Sequence, residues 1–141
     1  MICQSKTIAM AMMLGAAVPS TSFAESIGEA SFMSNCAVCH GADGKGNGPI
    51  VDFLKSAPSD LTMISAHNGG MFPIENVYQV IADTDLQRAH GTNEMPIWGN
   101  RFNSEVIAQE GEYGSGSSGQ QTAQARILEL VYFLATIQEP M

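Results

Sequence analysis

The sequence predicts an all-α domain. Apolar residues recur at helical spacing near residue 30 and again near residue 130. No stretch alternates, or stays apolar for long enough, to suggest a strand. The connecting segments are broken up by glycine and proline, which penalise both regular structures.

Residues 1–24 are expected to form a cleaved secretory signal. A polar start containing Lys6 leads into an apolar stretch from Ile8 to Val18, then Pro19, and Ser22-Phe23-Ala24 precede Glu25 as a cleavage pattern. Eleven apolar residues are too few to span a bilayer, which takes about 20. Cys3 precedes the apolar stretch, so it is poorly placed for a bacterial lipid anchor. Export to the periplasm with cleavage after Ala24 follows, leaving residues 25–141 as a single domain. This mature part keeps fourteen acidic and five basic residues, a formal charge of −9 against −8 for the whole chain. That balance argues against nucleic acid and favours protein partners with basic docking patches.

The elements follow in order. Ile27, Ala30 or Ser31, Phe32 or Met33, and Cys36 fall at helical spacing. Residues 41–50 read as a glycine-rich loop, without the preceding strand or Gly-Lys-Ser/Thr ending of a phosphate cradle. Pro58-Ser59-Asp60-Leu61 reads as the capped start of a short helix, and His67-Asn68-Gly69-Gly70 as a turn. Ile74, Val77, Val80 and Ile81 predict an amphipathic helix, and residues 111–121 an exposed flexible loop. Ile127, Leu130, Val131, Leu134 and Ile137 form the stripe of a last helix, widened by Leu128 and Phe133 and stopped by Pro140. With Arg126 and Glu129 as its only charges over 123–138, that helix is expected to be buried on most of its circumference.

The first helix runs into Cys36-Ala37-Val38-Cys39-His40. Cys-x-x-Cys-His is the pattern of covalent haem attachment: two thiols add to the haem vinyl groups as thioethers, and the adjoining histidine binds iron from one face. A zinc site would need a second ligand pair, and the one further cysteine is Cys3. A thioredoxin-like pair would need a βαβ setting. Since thioether attachment in bacteria takes place outside the cytoplasm, the motif and the export signal agree. One haem c with its iron is therefore expected.

A sixth iron ligand would come from Met33, Met63, Met71, Met95, Met141, His67 or His90. Met33 is too close to Cys36 to reach the opposite haem face, and Met141 lies beyond the last helix. Pro96 holds Met95 in extended backbone, suited to a loop crossing a haem face. A thioether is a soft ligand that favours ferrous iron and raises the potential. Met95 is the expected distal ligand, Met71 the next methionine, and the two histidines are expected in exposed loops.

These residues resemble the class I, small soluble c-type cytochromes of bacteria. Gly28-x-x-x-Phe32-x-x-x-Cys36-Ala37-Val38-Cys39-His40-Gly41, Gly48-Pro49, Met95-Pro96 and Phe133-Leu134-x-x-Ile137-Gln138 carry the likeness. The resemblance implies a cytochrome c fold, with the terminal helices crossing at Gly28 and Phe32 and Phe133 packed around the crossing. It also implies that the Pro49 carbonyl accepts a hydrogen bond from the His40 ring, and that Trp98 either bonds a haem propionate or fills the core. The stretch 111–121 departs from the compact family pattern.

Three functions are weighed. The favoured one is a monomeric, freely diffusing single-electron carrier and not an enzyme. A haem subunit of a larger periplasmic or membrane-associated oxidoreductase is the second, and the polar residues 101–125 argue against the large apolar interface it would need. A haem sensor or enzyme with an open sixth position is the third, favoured only if Met95 is not a ligand.

Overall fold

The computed structural model describes residues 25–82, 95, 98–111 and 117–140. The expected signal segment, His90, Pro96 and Met141 lie outside them. Helices α1 (Ile27–Asn35), α2 (Ala37–His40), α3 (Ile64–His67), α4 (Ile74–Ala82), α5 (Trp98–Glu110) and α6 (Ser117–Thr136) are joined by loops and two 3₁₀ turns, Val51–Phe53 and Leu61–Met63. No strand occurs among the described residues, and no helix there is long and apolar enough to cross a membrane. The expected all-α class is borne out.

Helix α1 starts where Ser26 accepts the Glu29 amide at 3.1 Å, with the Glu29 carboxylate in the positive first turn. Its buried face is Gly28 and Phe32, while Ile27 and Met33 are exposed. The helical spacing was legible and Phe32 lies inward as expected, but Ile27 points outward and Gly28 takes the inward place beside it. At Gly28 a Cβ would lie 2.1 Å from the Glu129 carbonyl oxygen and 2.9 Å from the Phe133 Cβ. The helices cross backbone to backbone, and beside the crossing the Phe32 and Phe133 rings meet with centroids 5.3 Å apart.

Helix α6 is the hub, packing on α1, α4 and α5. Its buried residues are Gly119, Ala123, Ile127, Leu130, Val131 and Leu134. Leu128 and Tyr132 face outward, so the helix is buried along one broad stripe rather than on most of its circumference. It also begins at Ser117, which turns residues 117–121 of the expected loop into helix. Two small residues on the buried side, Gly119 and Ala123, let this first part pack closely. On its surface, Arg126 donates to the Gln109 carboxamide of α5 at 2.7 Å.

Helix α5 had no counterpart in the sequence reading. Trp98, Phe102 and Val106, each four residues after the last, are all buried. Trp98 stacks near Phe102, and the Arg101 guanidinium sits 5.2 Å from the indole ring centre. Helix α4 completes the core with Ile81, and with Val77 and Tyr78 half-buried against it.

Gly28→Ala is expected to lower the thermal midpoint, because overpacking of this kind costs about 1–3 kcal/mol and backbone carbonyls cannot move aside. Phe102→Ala is expected to cost about 3–5 kcal/mol by cavity formation, as measured by denaturant unfolding. A loss below about 1 kcal/mol would show that α5 is not part of the core.

Candidate functional site

Cys36 both ends α1, its amide bonding the Phe32 carbonyl at 2.8 Å, and begins the single turn of α2. The Cys36 carbonyl then accepts the His40 amide at 2.9 Å. The turn therefore inherits its direction from α1. A helix this short leaves its last carbonyls without intrahelical partners. The glycine-rich loop supplies them from alternate residues: Gly46 N–H bonds the His40 carbonyl at 2.7 Å, Gly48 N–H that of Cys39 at 3.0 Å, and Ile50 N–H that of Val38 at 3.4 Å. Gly48 is needed for this approach, since a Cβ there would lie 2.5 Å from both the Cys39 carbonyl and the Val38 oxygen.

Both thiols are free and half-buried. Burial, and secondarily Cys39 beside it, pushes the Cys36 thiol up to about 12, so it is held protonated in this geometry. Burial also lowers the His40 ring below the usual imidazole range, partly offset by a backbone contact. That contact is Nδ1 to the Ser59 carbonyl oxygen at 3.0 Å. A proton donated from Nδ1 leaves the Nε2 lone pair available, which is the state a metal-binding imidazole requires.

The expected partner of this ring was the Pro49 carbonyl, and the structure puts Ser59 there instead. Pro49 sits in the loop spent on capping α2, one residue from each of two amides that do so. Ser59 lies on the approach to the second 3₁₀ turn, which Asp60 caps by accepting the Thr62 amide at 2.9 Å. The capped turn at Pro58-Ser59-Asp60-Leu61 was legible in the sequence, but not its delivery to His40. That depends on the Leu61 amide bonding the Gly44 carbonyl at 2.8 Å, a contact no local pattern signals.

Of the candidate distal ligands, Met95 is half-buried against the core cluster. Met63 is half-buried next to α3, and Met33 and Met71 are exposed; His67 is exposed as expected but ends α3 rather than lying in the turn that follows. Trp98 is 6% exposed and part of the core, the second of its two expected roles. Among the described residues no group of three or more His, Cys, Asp or Glu side chains could hold a metal ion by itself. The turn carries two thiols and one neutral imidazole, a donor set that fits covalent attachment of a haem.

Crossed terminal helices behind a Cys-x-x-Cys-His turn with free thiols define a haem-attachment domain. The family Cytochrome c matches residues 26–138, and the chain belongs to that family. The family binds haem c covalently, with its iron, and works by haem-based electron transfer. Comparison with curated proteins and with solved structures gives no match.

Gly48→Ala is expected to reduce the fraction of chain that carries covalent haem, because the added methyl drives the loop off the Cys39 and Val38 carbonyls. Haem absorbance relative to total protein measures it. An unchanged ratio would mean that the loop's capping bonds are dispensable for attachment.

Proposed function

We propose that this chain is a single-electron carrier exported to the periplasm. Cys36 and Cys39 would hold one haem c through thioethers, and His40 and Met95 would bind its iron. The observation that carries the reading is the His40 ring: its Nδ1 is engaged by the Ser59 carbonyl, so Nε2 is the free donor beside two free thiols. Met95, half-buried against the core, supports the distal role better than the exposed Met71.

Haem bound there supplies the one-electron chemistry. The chain's own part is to hold both donors still and to keep water away. The Ser59 carbonyl orients the imidazole and makes it a stronger donor, while the Met95 thioether favours the reduced form. The loop amides and the Ser59 carbonyl would hold the His40 donor in place whatever the charge on a bound haem. Trp98 is buried in the core cluster.

The acidic balance supports docking of partners through basic patches, with association slowed by salt. One observation favours the second reading, a haem subunit of a larger oxidoreductase. Val38, between the two cysteines, and Phe53, on the turn after the capping loop, are 43% and 87% exposed. Such apolar surface beside the motif suits a lasting contact. Gel filtration of the native extract separates the two, since a free carrier elutes at the size of the mature chain.

The deciding measurement is an optical spectrum of the holoprotein, oxidised and reduced, with and without carbon monoxide. A methionine–iron charge-transfer band in the oxidised form and no carbon monoxide response in the reduced form are expected. Met95→Ala is expected to abolish the band, lower the potential and admit carbon monoxide. Rapid carbon monoxide binding by the unsubstituted protein would favour an open sixth site and a sensor or enzyme.

A further inference from the structure

After α6 ends at Thr136, the chain turns and runs back against the segment that carries Ser59. Every polar atom of the Gln138 carboxamide is used there. Its Oε1 accepts the Ser65 amide at 2.8 Å, and its Nε2 donates to the Leu61 and Leu134 carbonyls, each at 2.8 Å. The next residue continues the strap: Glu139 N–H bonds the Thr62 carbonyl at 2.9 Å, and its carboxylate pairs with the Lys45 ammonium in the capping loop. Gln138 is half-buried, and Thr62, which the strap covers, is 3% exposed.

This puts one side chain across three parts of the structure. Leu134 fixes it to the hub helix, Ser65 to α3, and Leu61 to the turn two residues past Ser59. The turn has a second anchor in the Leu61 amide on Gly44, and its cap in Asp60. The Ser59 carbonyl, which sets the His40 ring, therefore stands on a backbone whose position Gln138 fixes against α6.

We propose that Gln138 is a positioning residue for His40, acting through the Leu61 carbonyl and the Ser59 turn to set the plane and donor strength of the imidazole. The strap formed by residues 138 and 139 thereby tunes the iron site from the end of the chain. The inference rests on His40 being an iron ligand.

The test is proton nuclear magnetic resonance of the ferric holoprotein, where the hyperfine-shifted haem methyl pattern follows the plane of the axial imidazole, together with the reduction potential. Gln138→Ala is expected to redistribute the methyl shifts and move the potential. Gln138→Glu keeps the acceptor for Ser65 but loses the amide donor, and is expected to change the same signals in the same sense. It also supplies the answer should Gln138→Ala fail to mature. Ile127→Ala, a buried change in α6 with no bond to the strap, is expected to lower stability and leave the methyl pattern in place.

Methyl shifts and potential unchanged in both Gln138 variants would overturn the proposal. So would an equal change in Ile127→Ala, because the effect would then be general loosening. If the unsubstituted protein shows no hyperfine-shifted His40 ring signals, the ligand assignment itself fails, an outcome distinct from both.

Discussion

At the crossing of α1 and α6, the Gly28 backbone lies against the Glu129 carbonyl with no room for a side chain between them, and the position of the haem-attachment turn follows from that contact. Cys36 closes α1 and opens α2, so fixing α1 on the hub helix fixes where both thiols and His40 stand. Had the helices been held apart by even a methyl group, the turn would be displaced from the loop amides that cap it and from the Ser59 carbonyl. The Phe32–Phe133 contact then fills the space beside the crossing.

The attachment turn itself is too short to be stable alone. One helical turn fixes several dihedrals in return for a single intrahelical bond, so isolated turns of this kind do not persist in water. Here the loop of residues 41–50 compensates by meeting three successive carbonyls with amides from alternate residues. The glycines that appear in the sequence as a disordered-looking run are what lets two backbones lie this close. The same loop carries Lys45, whose pairing with Glu139 is a surface contact and adds little to stability by itself.

Much of this was legible in the residues. The motif, the helix leading into it, the glycine loop, α4 and the apolar stripe of α6 all follow from spacing and composition, because each is a local pattern. What was not legible depends on partners far away in the chain. Helix α5 was hidden because Trp98, Phe102 and Val106 make a narrow stripe in a run of Asn, Arg, Ser and Glu, and a narrow stripe is sufficient only where a hub helix covers it. The start of α6 was hidden because Ser117, Ser118 and Gly119 favour a loop locally, and packing against α5 overrides that preference. Ser59 was missed for a related reason. A backbone carbonyl has no side-chain signature, so its use by a ring nineteen residues away can be read only from the folded chain.

The bonds that complete the site link residues far apart in order: Leu61 and Ser65 to Gln138, and Lys45 to Glu139. No stretch of chain shorter than this span contains both sides of the closure. The bonds that cap the attachment turn are complete within residues 36–50, whereas those that hold the Ser59 turn against the last helix need residue 138. Loop closure over such a distance is slow compared with helix formation. The topology thereby separates two sets of bonds: local ones that cap the attachment turn, and distant ones that hold the Ser59 carbonyl against the His40 ring.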